Sequence, residues 1–332
     1  MIAMNKTDAL NLFFRKNGIN YSTASNVNDG NYDKRIADLP NQVDQWLSLI
    51  DDTDHALFLE MLSCYTYLTE AQCQLRYVEI LSKLQQDLAA LQVQRSEILF
   101  VTVESSSAYK SGGDNVRADL HKRNLTELKK EQIIAAQSNL DINSLRQYKA
   151  IVFLDDIIGS GITLWKEIAA FCKRFDIPNR YDPSLFYACI APRREGVRHI
   201  ERNCRKTGLS IRGIFDEAWI VDPAFSTGSP EYLQIEKYEK MVGTYMVEPP
   251  KTYFMGFDQN KLLVSFHYNT PNNTLSTFWR EVPDKNSPPF YRDGNQPPKR
   301  PTIDALKKRK SEMQQGSYEQ GCAFWRKEKS DG

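Results

Sequence analysis

Residues 149–164 read KAIVFLDDIIGSGITL, and the rest of the chain is organised around this stretch. The run 150–154 is apolar without interruption, which is typical of a strand buried on both faces of a parallel sheet. Two carboxylates, Asp155 and Asp156, follow it as an acid pair, and residues 165–175 are patterned as an amphipathic helix. The order strand, acid pair, small loop and helix places the loop at the carboxyl edge of an open α/β sheet, where such sheets bind ligands.

The loop between the acid pair and the helix is rich in glycine and hydroxyl groups. Gly159 and Gly161 allow backbone amides to approach an anion without an intervening Cβ, while Ser160 and Thr163 add hydroxyl donors. The helix start contributes free amides and a partial positive charge, so the loop predicts a phosphate-binding site. The acid pair repels phosphate and instead suits sugar hydroxyls or a divalent cation. A phosphorylated sugar satisfies both halves of this site.

Residues 154–163 resemble the phosphoribosyl-pyrophosphate (PRPP) signature of type I phosphoribosyltransferases. That signature has four apolar residues, two acids, two variable residues and then Thr-Gly-x-Thr, and Ser160 keeps the hydroxyl where Thr is usual. The resemblance implies that Asp155 and Asp156 orient the ribose and bind Mg²⁺ during catalysis. It assigns the 5′-phosphate to Ile158, Gly159, Ser160, Gly161, Ile162 and Thr163. The alternative interpretation is an ordinary strand-turn-helix junction with an acidic turn.

Composition sets broad limits on the protein. The 332 residues are 41% hydrophobic and 26% charged, enough to bury a large core in one elaborated domain or two. The net charge of +1 gives no overall field that would favour nucleic acid. Six cysteines form no Cys-x-x-Cys pair, and four scattered histidines show no metal-ligand spacing. With no apolar leader or membrane-length stretch, we expect a soluble cytoplasmic protein with free thiols and no membrane contact.

The region before the central stretch is predicted to be mainly helical. Residues 1 to about 40 are polar and are expected to be irregular, whereas 42–94 show helical periodicity. We expect two or three helices that pack on the sheet or cover its edge as a lid. The longest apolar face comprises Tyr77, Leu81, Leu84, Leu88 and Leu91.

A second strand is predicted over 98–103, and it leads into a segment of small polar residues over 104–114. This segment is placed like the pyrophosphate loop of the resembling family, with Ser107 and Lys110 as substrate contacts. A flexible polar loop is the alternative. A helix is predicted over 115–136, so one helix and one short strand fill the space before the central strand. The mobile lid usual in the family is therefore expected to be shortened or supplied from elsewhere.

Downstream of the central helix, residues 184–191 predict another buried strand. It ends at the same edge beside Arg193 and Arg194, which are candidates for phosphate or carboxylate recognition, with surface arginines as the alternative. A helix is expected over 199–207 and a further strand over 218–222. After that strand, Asp222 and Phe225 are candidates for covering the base or acceptor.

The carboxyl-terminal part extends beyond an ordinary phosphoribosyltransferase. A helix is expected over 231–245, and strands over 251–257 and 262–268 are expected to form a hairpin. Residues 287–301 are rich in proline, and a basic run at 307–310 could contact phosphates or serve solubility. Together with the helical front, the residues around Gly256-Phe-Asp258 and Asn269-Thr-Pro-Asn-Asn273 resemble phosphoribosyltransferase-like domains of bacterial conflict systems. That resemblance implies an effector in anti-phage loci, some of which are retron-associated.

These expectations define one fold and several functions. The fold class is α/β, with an open, mostly parallel sheet of the type I phosphoribosyltransferase kind. The domains are a helical part over 1–95, the α/β core over 96–245, a β-containing extension over 246–286, and a linker with basic tail over 287–332. The leading function is an Mg²⁺-dependent glycosyltransferase that acts on PRPP or a related ribose phosphate at the anomeric carbon. The alternatives are a non-catalytic PRPP or nucleotide sensor and a partner-binding or nucleic-acid-binding component of a defence complex. A homo-oligomer or a complex with operon-encoded partners is also expected, as are nucleic-acid contacts through the tail.

Overall fold

The computed structural model describes residues 4–103, 112–122, 129–244, 253–282 and 288–292. The seven strands in these ranges are β1 Thr66–Leu68, β2 Ile98–Thr102, β3 Ile133–Ala135, β4 Ala150–Ile158, β5 Ser184–Pro192, β6 Ile211–Ile214 and β7 Val264–Phe266. The α-helices are α1 Lys6–Lys16, α2 Tyr21–Ala24, α3 Leu39–Leu47, α4 His55–Ser63, α5 Glu70–Ala90, α6 Gly112–Lys122, α7 Ile142–Leu145, α8 Ile162–Phe175, α9 Arg194–Thr207 and α10 Pro230–Gly243. None of the described helices is long and apolar enough to cross a membrane.

Five strands form one sheet in the order β3-β2-β4-β5-β6, and every neighbouring pair is parallel. The chain leaves β2 for the edge strand β3 and returns to β4 on the other side of β2. The strand order therefore reverses between β2 and β4, and ligands bind at such a switch point in open α/β sheets. The α/β fold with a mostly parallel sheet, a helical front and a β-containing extension is confirmed.

The central strand β4 is longer than its apolar run. Residues 150–153 are completely buried, as the sequence predicted. Pairing with β5 continues beyond them, with Asp155 opposite Cys189 and Ile158 opposite Pro192. The acid pair consequently lies within the paired part of β4, near its carboxyl end, whereas we had expected it to follow the end of the strand. Hydrogen bonding along the ladder extends the strand through residues whose side chains are polar.

Helices cover both faces of this sheet. On one face, α5 buries Tyr77, Leu84 and Leu88 in the same apolar cluster as Val152 of β4. On the other face, α8 and α9 bury apolar side chains against the sheet, namely Leu164, Ile168, Phe171, Cys172, Phe175, Ile200 and Cys204. Most of the predicted leucine face therefore packs on the sheet, which is one of the two arrangements that we expected. Leu91 is the exception, because it follows the end of α5 and is 52% exposed. We refer to residues 98–214 as the sheet region.

A second core joins both ends of the described chain and meets the first sheet cluster through β1 and β7. We define it as the described residues of 4–68 and 225–290, and its aromatic centre contains Trp46, Phe58, Tyr65, Phe278 and Phe290. Its only described strands are β1 and β7, which pair in parallel with Thr66 opposite Val264. The hairpin expected over 251–268 is wrong. Residues 253–256 form turns and Phe257–Gln259 a 3₁₀ helix, because β7 takes β1 as its partner instead.

Three further sequence expectations are corrected by the structure. The helix expected over 115–136 does not continue to its predicted end, where β3 forms one edge strand of the sheet. The amino-terminal residues are not irregular: Asn5 caps α1 and Asn20 caps α2, and α1 buries Phe13 in the second core. The strand expected over 218–222 is absent from that described segment, where Glu217–Trp219 forms a 3₁₀ helix. The other edge strand is β6, earlier in the chain. Its four residues, Ile-Arg-Gly-Ile, are too few to show the alternation of apolar and polar residues that predicts a strand.

Candidate functional site

The loop after β4 is a tight three-residue turn at an uncapped helix start. Gly161 occupies the N-cap position of α8 with φ 76° and has no side chain to cap the helix, and the first amide, that of Ile162, makes only a weak 3.4 Å bond to the Ser160 hydroxyl. By contrast, the Thr69 side chain caps α5 and Ser229 caps α10. Among the turn and loop hydrogen bonds of the described residues, none uses the amides of 159–161 as donors. An uncapped helix start with available amides is a favourable position for an anion.

The loop glycines also serve a packing role that the sequence did not reveal. A Cβ on Gly161 would lie 2.3 Å from the carbonyl oxygen of Gly196 in α9. A Cβ on Gly159 would lie 2.2 Å from the side-chain nitrogen of Asn273. The glycines therefore let the loop close against α9 and against the carboxyl-terminal extension. Any side chain at Gly161 disturbs this contact before it reaches a ligand.

The remaining loop residues differ in their access to solvent. Ile158 is buried, Ser160 and Ile162 are half-buried, and Thr163 is exposed in the first turn of α8. The Ser160 hydroxyl accepts a weak hydrogen bond from the Ile162 amide at 3.4 Å. The hydroxyls of Ser160 and Thr163 thus lie on the side of the turn that solvent can reach.

The acid pair is held by its own backbone and by the extension. The Asp156 amide donates to Asp155 Oδ1 at 3.0 Å, and the Tyr268 hydroxyl donates to Asp156 Oδ2 at 3.3 Å. Asp156 is only 5% exposed, while Asp155 is partly exposed. Of the two carboxylates, Asp155 is therefore the one available to a sugar hydroxyl, and Asp156 anchors Tyr268.

Burial raises the pKa of both carboxylates. It raises the pKa of Asp155 well above its usual value, and the neighbouring charge of Asp156 adds to this effect. Burial also raises the pKa of Asp156 to about 6, although the hydrogen bond from Tyr268 opposes that rise. A divalent cation favours the ionised form of such a pair, so these residues fit the Mg²⁺ that the resemblance implies.

Cationic groups flank the loop on the side of α9. The Arg193 amide donates to the Ile158 carbonyl at 2.8 Å, and its guanidinium donates to Asn260 Oδ1. Lys261 is 6% exposed and donates to the Thr227 hydroxyl at 3.0 Å. Burial lowers the pKa of Lys261, and the positive charge of Arg193 lowers it further. Glu195, Asp222 and Asp258 lie near enough to Arg193 to oppose the lowering of its pKa, so part of this positive charge is already balanced by the chain.

Other predicted site residues lie elsewhere or outside the described part of the chain. Arg194 forms an exposed ion pair with Glu217 at 3.4 Å, as the surface alternative expected. Asp222 is exposed, but Phe225 is buried in the second core beside Tyr232 and does not cover the sheet edge. Ser107 and Lys110 lie outside the described residues, as does the basic run at 307–310.

Sequence reasoning missed the contribution of the extension to this edge. Asn260 bonds to Arg193, Tyr268 bonds to Asp156 and Asn273 lies against Gly159, although all three follow β4 by about a hundred residues. The signal available in the sequence was a group of polar residues set among apolar ones over 260–275. The segment 269–273 was singled out for its resemblance, and the structure gives Asn273 a contact with Gly159.

Comparison with protein-family models places this chain in a family. The PRTase-CE model matches residues 43–292, which span the sheet region, most of the second core and the whole described edge. The chain belongs to the PRTase-CE family and is phosphoribosyltransferase-like. Neither the curated proteins nor the solved structures contain a match to it.

Proposed function

We propose that the protein binds PRPP or a related ribose phosphate with Mg²⁺ at the carboxyl edge of its sheet. The observation that carries this proposal is the juxtaposition of an uncapped helix start with a buried acid pair at the strand-order switch point. The first favours a phosphate and the second favours sugar hydroxyls with a cation. Membership of the PRTase-CE family supports the same ligand class.

The available donors suggest how the ligand is divided among the residues. The amides of 159–161 and the hydroxyls of Ser160 and Thr163 would bind the 5′-phosphate, with Arg193 nearby. Asp155, the more accessible carboxylate, would accept hydrogen bonds from the ribose hydroxyls. When bound, Mg²⁺ would neutralise the charge of pyrophosphate and of the acid pair.

We further propose that the ligand reacts at the anomeric carbon, by transfer to an acceptor or by cleavage. The sugar becomes positively charged as pyrophosphate departs, so an ionised Asp155 can stabilise the transition state electrostatically. The protein then needs to hold the leaving group and orient the sugar, rather than to protonate either. This chemistry admits a base, a nucleotide, a protein or water as the acceptor.

A sensor without catalysis is the second candidate, and one observation favours it. Tyr268 already bonds to Asp156, and Asn273 lies against Gly159, so the extension contacts both halves of the site. Ligand binding at this edge would therefore displace or fix residues of the second core through these two contacts. In either case, the resemblance to conflict-system domains leads us to propose a role in anti-phage defence with operon-encoded partners or a second copy of the chain.

One assay separates the enzyme from the sensor. The full chain is incubated with PRPP, Mg²⁺ and a panel of bases, nucleotides and water alone, and released pyrophosphate is measured. An enzyme releases pyrophosphate and loses this activity in Asp155→Asn. A sensor binds PRPP without releasing pyrophosphate. Absence of both binding and release contradicts the proposal.

A further inference from the structure

A second cluster of chemically active side chains lies at the carboxyl edge of the two-stranded sheet. Parallel strands end at the same edge, so residues that follow β1 and β7 come together. Glu70 lies two residues beyond the end of β1, and His267 directly follows β7. The His267 amide donates to the Leu68 carbonyl at 2.9 Å, which fixes this alignment. Asp119 reaches the same point from α6.

The side chains of this cluster face one another at short range. One ligand atom from each of Glu70, Asp119 and His267 lies within 4.8 Å of the other two. His267 Nε2 and Asp119 Oδ2 are 3.6 Å apart, which is too long for a hydrogen bond.

Two of these atoms are buried without a hydrogen-bond partner. Asp119 Oδ2 and His267 Nε2 are both inaccessible, and neither has a hydrogen-bond partner within the part of the chain that the structure describes, although a protonated His267 would form an ion pair with Asp119. Asp119 as a whole is 6% exposed. Leaving a buried polar atom unsatisfied costs about 1–3 kcal/mol, so two of them aimed at one point call for a shared ligand.

The spacing and chemistry of the cluster fit a metal ion. Tetrahedral bonds of about 2.0–2.1 Å to Zn²⁺ separate neighbouring ligand atoms by about 3.3 Å, close to the distance between His267 and Asp119. An imidazole nitrogen selects Zn²⁺ and similar transition metals over Mg²⁺, which prefers oxygen ligands. Three protein ligands also leave one position open, as in catalytic zinc sites. Glu70 and His267 line a cavity of about 720 Å³, which that position can face.

We propose that Glu70, Asp119 and His267 bind a zinc-class divalent metal ion, with one coordination position open to this cavity. The site is distinct from the acid pair in its residues and in its nitrogen donor. It is nevertheless adjacent, because the His267 ring packs edge-on against the Tyr268 ring at 4.8 Å and Tyr268 bonds to Asp156. A bound metal would fix His267 and, through it, the position of Tyr268 beside the acid pair.

Metal analysis and titration of the full chain test this proposal. After removal of metal with a chelator, Zn²⁺ is titrated by calorimetry, and Co²⁺ is titrated by visible absorbance to report on coordination. We expect one Zn²⁺ per chain and tetrahedral Co²⁺ bands. His267→Asn should bind Zn²⁺ at least about 100-fold more weakly, since loss of a supporting residue alone costs about 10–100-fold. Glu70→Gln, at the exposed rim, should weaken binding without affecting folding.

Matched variants keep the test specific. Glu79→Gln makes the same change at an exposed position of α5, and His199→Asn alters a histidine on α9; both should bind Zn²⁺ like the unmodified protein. Asp155→Asn should also retain Zn²⁺ binding, so this result is independent of the PRPP proposal. Unaltered affinity in both Glu70→Gln and His267→Asn would show that Zn²⁺ binds elsewhere. The absence of stoichiometric Zn²⁺ would leave a simple Asp119–His267 pair. Either result would overturn the proposal.

Discussion

The sheet region and the second core differ in how they treat polar groups. Among the described residues, four buried polar residues lie in the sheet region and twelve lie in the second core. The sheet strands need few polar contacts because their backbones satisfy one another. The second core is built from separated segments, and its irregular backbone must be satisfied by side chains. Glu239 illustrates this, because its carboxylate accepts bonds from Ser276 and Thr277.

The comparison also explains where the candidate site lies. The loop and acid pair come from the sheet region, whereas Tyr268 and Asn273 reach them from the second core and Asn260 reaches the adjoining Arg193. The regular region supplies a rigid strand edge, and the irregular region supplies polar groups that cover it. We infer that ligand chemistry resides in the first region and that its control resides in the second.

The largest effect is expected at the loop where α9 closes on β4. Gly161→Ala should cost about 3–5 kcal/mol of unfolding free energy, because it combines a left-handed φ with overlap against Gly196. Gly208→Ala is the matched control, since Gly208 has φ 72° but open space around its Cβ position, and it should cost about 1–2 kcal/mol. Urea denaturation measures both. Equal losses would show that the Gly161 contact is unimportant.

The acid pair should make stability depend on pH. Burial raises the pKa of Asp156 from 3.8 to about 6, so the folded state retains a proton that the unfolded state has lost. The contribution of this group is fully present below pH 3.8 and is lost as the pH rises through about 6. We expect the unfolding free energy to fall by about 3 kcal/mol or more in the presence of a chelator, because the raised pKa of Asp155 adds to the loss from Asp156. The Asp155→Asn, Asp156→Asn variant should lack this decline, and an equal decline in the variant would assign the proton elsewhere.

In the second core, we expect the largest loss of stability from a change to the buried carboxylate of Glu239. Its two oxygens accept from the amides of Met255, Ser276 and Thr277 and from the Ser276 hydroxyl. Glu239→Gln turns an amide donor toward at least one of these donors and should cost about 1–3 kcal/mol. Glu236→Gln makes the same change at a half-buried position of α10 and should cost less than about 0.5 kcal/mol. Similar melting curves for the two variants would contradict the polar role assigned to Glu239.

The two regions also differ in how much their sequences disclosed. The apolar run of β4 and the loop that follows it are local, and they predicted the strand, the sheet and α8. Glu239 and Tyr268 find their partners far along the chain, so no local period could reveal them. The parallel pairing of β1 with β7 joins residues almost two hundred positions apart, and a hairpin was the simpler local interpretation. The metal ligands escaped notice for the same reason, since Glu70, Asp119 and His267 show no spacing pattern.

The central claim is that the carboxyl edge of the sheet binds a phosphorylated ribose through Asp155. Calorimetry with PRPP and Mg²⁺ on three proteins tests it most directly: the unmodified chain, Asp155→Asn, and Asp182→Asn. Asp182 is exposed before β5 at the opposite end of the sheet, so its variant controls for loss of one charge. We predict that the unmodified chain and Asp182→Asn bind alike, while Asp155→Asn binds at least about 30-fold more weakly, as expected for about 2 kcal/mol. Equal affinity in all three proteins, or no binding by the unmodified chain, would contradict the account.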